Sequence, residues 1–258
     1  MTDDRDGTGP STRRSFLTSA GATLGLVGAA AAPVPGLAQA AAAAQPAGAA
    51  AAPVPAAANA PAAAAAGYQS LSLEESAVTE ALIAHMWPAD QFGPSGVELG
   101  IATYIDRQLA GAFGSGDRLY SQGPFRTGKP QHGYQLAMTP EAWFKTGLAS
   151  LSAYCTRAHG RNFDRLPAAE REAALQEVAG GKANAPEFDL AAWFNELFYP
   201  LFTQGAFADP IYGGNRGKAA WKMIGFPGLP AVYNRDIVTF RGKRNPKSDA
   251  PTSIQDLS

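Results

Sequence analysis

The sequence predicts a mainly α protein, a single irregular helical domain with long loops rich in glycine and aromatic residues. Three observations lead there. Helix-start signatures precede apolar residues at 3.6-residue spacing, runs with the two-residue alternation of strands are few, and Gly-rich stretches separate the helical segments. Nearly all the aromatic side chains lie between residues 68 and 258, so the domain is placed there, with enough chain for one core.

The first helix opens on Ser72-Leu73-Glu74-Glu75, a capping box in which hydroxyl and carboxylate each satisfy an otherwise unpaired amide. Val78, Leu82 and Met86 then share one face until Trp87-Pro88, because the residue before a proline is held out of the helical region. Ser95-Gly96-Val97-Glu98 repeats the signature and predicts a second helix carrying Val97, Ile101, Tyr104, Ile105 and Leu109, with the loop Pro88 to Pro94 between the two. From Gly111 to Met138 the chain is Gly-rich with scattered Phe113, Tyr120, Phe125 and Tyr134. Loops this long inside a compact domain tend to be functional or to wrap a partner.

Thr139-Pro140-Glu141 supplies an N-cap, a first-turn proline and a first-turn acid for a helix running to about His159, with Gly160 as its stop. Phe144, Leu148, Leu151 and Cys155 fall on its apolar face. A further helix fits Pro167 to Ala179, before Gly180-Gly181. Asp189 caps another, whose Trp193, Phe194, Leu197, Phe198, Leu201 and Phe202 form an aromatic stripe. Gly205 to Asn215 is a run of turn-forming residues, and the tail from Leu229 onward is expected to be extended.

The N-terminus has its own pattern. Thr12-Arg13-Arg14-Ser15-Phe16-Leu17 precedes a short Ala/Gly/Leu stretch, and Ala38-Gln39-Ala40 gives a small-residue cleavage site. The Arg13-Arg14 pair with Phe16 and Leu17 marks a twin-arginine signal over residues 1–40. Its apolar part is too short for a bilayer span, which needs about 20 residues. Residues 41–67 are almost entirely Ala and Pro, with nothing large to bury, and are expected to form a disordered linker. A twin-arginine signal implies export in the folded state, to the periplasm.

Composition narrows the partners. A net charge of −1 with no block of Lys or Arg argues against nucleic acid. No stretch after the signal is long and apolar enough to span a membrane. The chain has a single cysteine, so no internal disulfide exists, and Cys155 is either a buried thiol or an intersubunit bridge.

No Gly-x-Gly-x-x-Gly follows a strand, no Cys-x-x-Cys-His attaches haem, and no Gly-x-Ser-x-Gly elbow is present. His85, His132 and His159 lie far apart without metal-ligand spacing. Asp90, Asp106 and Asp209 are the candidates for general acid/base work. Asp90 and Asp209 sit in turns, where aspartate also caps backbone amides, and Asp106 sits in a helix.

Trp87-Pro88-Ala89-Asp90 through Gly93-Pro94, with Gly100-Ile101 and Tyr104-Ile105-Asp106, resembles the N-terminal signature of the gluconate 2-dehydrogenase subunit 3 family. A second match runs from Gly205 through Asp209-Pro210-Ile211-Tyr212-Gly213-Gly214-Asn215-Arg216 to Trp221 and Gly225-Phe226-Pro227-Gly228. The Ala/Pro tether and the tail after Gly228 lie outside that pattern.

The resemblance implies a non-catalytic small subunit of a periplasmic, membrane-associated dehydrogenase of gluconate, sugars or polyols, with no cofactor of its own. It implies three partners: an FAD-binding large subunit, a multihaem cytochrome c, and the twin-arginine translocase that this chain's signal engages on behalf of the large subunit. On that view the complex is held at the inner membrane through those partners, and Asp209 to Asn215, Trp221, Phe226 and Pro227 either lock the domain or face the large subunit. Two alternatives stand beside it: a free-standing periplasmic enzyme using Asp90 and Asp209, and a sugar-binding module using the aromatic stripe.

Overall fold

The computed structural model describes residues 67–257, apart from 121, 127, 130, 131, 133, 134, 184 and 231. The expected twin-arginine signal and cleavage site, the expected linker up to residue 66, and Tyr134 therefore lie outside the described residues. The described chain is mainly helical and contains no strand.

Helix α1 (Leu73–Met86) starts on the predicted capping box. Glu75 N donates to Ser72 Oγ (3.3 Å) and Ser72 N donates to Glu75 Oε2 (2.8 Å). Val78, Leu82, Ile83 and Met86 are buried against the core. The Ser95/Glu98 box also forms, and hydrogen bonds from Ser95 hold the Glu98 carboxyl below its ordinary range.

The second helix, however, starts later than the signature predicts. Residues after Ser95 make only a turn, and α2 spans Ile101–Ala110. The break is Gly100, at φ +79°, and its cause is distant in sequence. A Cβ there would lie 2.5 Å from Gly213 O and 2.6 Å from Arg216 Nε.

One helical turn, α3 (Ala112–Ser115), interrupts the segment expected to be a structureless loop. Helix α4 (Pro140–His159) has the predicted ends: Ala142 N donates to Thr139 Oγ1 (3.2 Å), and Gly160 closes it at φ +72°. Helix α5 spans Ala168–Ala179. Helix α6 is composite, with α-helical Leu190–Ala192, a π-helical turn Trp193–Phe198 and α-helical Tyr199–Phe207. Pro200 lies two residues beyond the wide turn. A proline inside a helix lacks a donor and crowds the carbonyl four residues back, and a wider turn accommodates both effects.

The core forms where α4 meets α6. Phe144 stacks on Phe198 at 6.0 Å, and Trp193 and Phe194 lie 5.5 and 5.7 Å from the same ring. Gly147 makes this approach possible, since a Cβ there would sit 2.1 Å from Trp193 Nε1. A glycine within a helix costs about 1 kcal/mol relative to alanine, and here it admits a whole indole ring.

Cys155 is fully buried on α4, and burial pushes its thiol up to about 12. The structure thus has the buried thiol, and a bridge to another chain would require this helix to open. In the native chain iodoacetamide is expected to leave Cys155 unmodified at neutral pH, with alkylation appearing at the denaturant midpoint. Rapid labelling before unfolding would contradict the burial.

The tail corrects the sequence expectation of an extended segment. After helix α7 (Ala219–Ile224), the chain beyond Leu229 forms helix α8 (Asn234–Thr239) and 3-10 turns at Pro246–Asp249 and Ile254–Leu257. Leu229 N donates to Thr252 O (2.8 Å), and Lys218 pairs with Asp256. Residues scattered along a Pro- and Asn-rich tail find partners on the body, which no local periodicity announces.

Candidate functional site: the Asp209–Asn215 turn and its apolar rim

Helix α6 ends at Phe207, and the chain reverses over the next residues. Asp209 Oδ1 accepts from Ile211 N (3.1 Å), shaping the 3-10 turn Pro210–Tyr212, while Oδ2 accepts from Ile254 N (2.8 Å) and ties down the tail. Pro210 supplies the fixed φ of the turn's first position. Gly213 follows at φ +100°, where a Cβ would meet the Arg107 guanidinium at 2.9 Å. A Cβ on Gly214 would lie 2.1 Å from Gly205 O, so the two backbones touch.

Asn215 is the centre of the turn. It is fully buried at φ +43°, in the left-handed region that asparagine tolerates better than most residues. Its amide donates to Gly205 O (3.1 Å), its Nδ2 donates to Ala208 O (3.1 Å), and its Oδ1 accepts from Ala220 N (3.0 Å). One side chain thereby joins the end of α6 to the start of α7. Arg216 extends the tie to α2: its amide donates to Leu99 O (3.0 Å) and Nη2 to Thr103 Oγ1 (3.0 Å). Trp221 Nε1 donates to Phe207 O (2.7 Å), and Phe226 packs edge-on to Trp221 at 5.0 Å. Pro227 is half-buried beside it.

The side chains of Asp209 and Asn215 are therefore engaged internally, and the turn presents Ile211 and the Tyr212 ring to solvent. Ile211 is 40% and Tyr212 51% exposed, with Ile254 and Leu257 exposed on the neighbouring turn.

The three acidic candidates are not brought together. Asp90 Oδ1 accepts from Phe92 N (2.8 Å) and Gly93 N (3.2 Å), a local turn cap. Asp106 is buried and accepts from the amides of Gln69 (2.8 Å), Ser70 (2.8 Å) and Leu71 (3.0 Å). It fastens the N-terminal segment onto α2. Asp209 is the turn cap already described.

The histidines are equally separate. His85 Nε2 lies 2.8 Å from Glu172, His132 Nδ1 accepts from Lys129 N, and His159 lies 3.9 Å from Glu170. Among the described residues no group of three or more His, Cys, Asp or Glu side chains could hold a metal ion.

The aromatic stripe is also not a ligand cleft, because Trp193, Phe194, Leu197, Phe198, Leu201 and Phe202 all lie in the core. A cleft of about 540 Å³ does exist elsewhere, lined by Arg107, Phe113, Arg118, Leu119, Trp143 and Glu196 among others.

Arg216 is legible in the sequence only as the end of a motif, and neither its tie to α2 nor the long-range role of Asp106 is legible there. A lone arginine and a lone helical aspartate have no local signal, since their partners are backbone groups far away in sequence.

The fold and the turn define a helical domain in which polar residues of the turn tie helices together. A family model described as gluconate 2-dehydrogenase subunit 3 matches residues 73–228, and the chain belongs to that family. The family name designates a subunit of a multi-subunit dehydrogenase. No curated protein and no solved structure shows significant similarity to the chain.

Proposed function

We propose that this chain is the non-catalytic small subunit of a periplasmic, membrane-associated FAD-dependent dehydrogenase of gluconate or related sugars and polyols. Its task is to carry the flavoprotein large subunit through the twin-arginine route and to support its maturation and stability. The observation that carries the proposal is the family match over residues 73–228 on a chain that opens with Arg13-Arg14.

The geometry supports it in two ways. Asp90, Asp106 and Asp209 are bonded to backbone amides, which argues against the free-standing enzyme. Ile211 and Tyr212 on the outside of a rigid turn give the apolar contact that an assembly partner needs. FAD belongs in this scheme to the large subunit, and c-type haem to a multihaem cytochrome that takes its electrons. Folded export suits a passenger loaded with its flavin before transport.

The experiment replaces Arg13 and Arg14 with lysine and follows the large subunit by cell fractionation. Both chains are expected to remain in the cytoplasm, with dehydrogenase activity lost from the periplasmic face. A large subunit that still reaches the periplasm would sink the carrier role.

A further inference from the structure

The tail beyond Gly228 lies outside the family match, yet it is folded onto the body. The Tyr233 hydroxyl donates to Gly228 O, Phe226 packs against the Tyr233 ring at 5.9 Å, and Asp236 accepts from Lys247 Nζ at 2.9 Å. Those bonds turn the Asp236 side of α8 inward. Helical geometry then turns Ile237 and Val238 away from the body, and they are 67% and 78% exposed, with Val232 just ahead at 70%.

Cations surround them. Residues 232–247 hold five basic side chains and one acid, a net charge of +4 on a chain whose total is −1. Arg244 and Lys247 pair with Asp249 and Asp236, whereas Arg235, Arg241 and Lys243 form no ion pair among the described residues.

We propose that this rim, from Val232 to Lys243, seats the chain directly on an anionic lipid surface. Protruding aliphatic side chains set among unpaired Lys and Arg are the combination that a negatively charged bilayer interface selects. The apolar groups enter the acyl boundary while each cation is drawn to the headgroups. A protein partner fits less well. Protein interfaces are centred on aromatic anchors, and this rim offers Val, Ile, Arg and Lys with no exposed aromatic ring at its centre. A lipid surface also needs no matching shape, which suits side chains that project from a short convex helix.

The inference concerns this chain and lipid alone, so it stands or falls independently of the carrier role. The purified full chain is sedimented with vesicles of phosphatidylcholine, and with vesicles of phosphatidylcholine and phosphatidylglycerol in equal parts. Stronger binding to the anionic vesicles is expected, weakening as salt is raised.

Replacing Arg235, Arg241 and Lys243 with glutamine is expected to weaken that binding about fivefold per residue. The N-terminal segment is the same in every variant, so the difference reads the tail. A second measurement places a polarity-sensitive fluorophore on Val238→Cys, the buried Cys155 leaving the new thiol as the one accessible in the folded chain. Its emission is expected to shift to shorter wavelength with the anionic vesicles. An unmoved spectrum overturns the proposal. So do glutamine variants that lose a co-purifying polypeptide while their vesicle binding is unchanged, which would assign the rim to a protein.

Discussion

Replacing Asn215 with alanine is expected to lower the melting temperature of the isolated chain by about 10 °C. The change removes the side-chain bonds to Ala208 O and Ala220 N and leaves both backbone groups short of a partner in a fully buried site. Each such group costs about 1–3 kcal/mol, and holding alanine in the left-handed region adds about 1–2 kcal/mol. The total is about 3–8 kcal/mol, and its lower end corresponds to roughly that shift for a domain of this size.

The companion change separates the two meanings of the turn. Tyr212→Ala removes an exposed ring, so it should leave the isolated chain within about 0.5 kcal/mol of the parent while weakening recovery of the large subunit. Thermal melts and co-purification of the two variants are sufficient. If Asn215→Ala melted like the parent, the turn would not be the lock its hydrogen bonds describe.

The second large effect is expected at Asp106. Asp106→Ala strips three backbone donors of a charged acceptor, and Asp106→Asn can offer only one accepting oxygen while turning an N–H₂ toward the same donors. Hydrogen bonds to charged groups contribute about 1.5–3 kcal/mol each, but the amides of Gln69 and Ser70 regain water once released. A net loss of about 3 kcal/mol is expected for both variants, with faster hydrogen exchange at Gln69, Ser70 and Leu71. A catalytic aspartate would behave differently, leaving stability intact and removing turnover. Urea unfolding of Asp106→Asn distinguishes the two, and an unchanged midpoint would return Asp106 to the acid/base candidates.

Much of the helical framework was legible from local chemistry. The Ser72 capping box, the Thr139-Pro140-Glu141 start, the Gly160 stop and the Asp189 cap each act within three or four residues, and each forms as read. The buried stripe from Trp193 to Phe202 was legible as a face, although its use was not. Spacing shows that residues share a side, and only the packing of α4 against that side makes it core and not cleft. The Ser95 box shows the limit from the other direction, for its hydrogen bonds form but the helix waits until Ile101.

The sequence alone determined the helical class and the family motifs, because both are written in contiguous residues whose geometry is local. Tertiary structure decided the rest. It placed Gly100 against Gly213 and Arg216, engaged Asp106 with amides more than thirty residues away, and folded the tail back onto Asp209. The last two share a physical reason. A buried polar group must find a partner, and in this chain the partner is a backbone amide or carbonyl, which every residue carries and no side-chain pattern can mark.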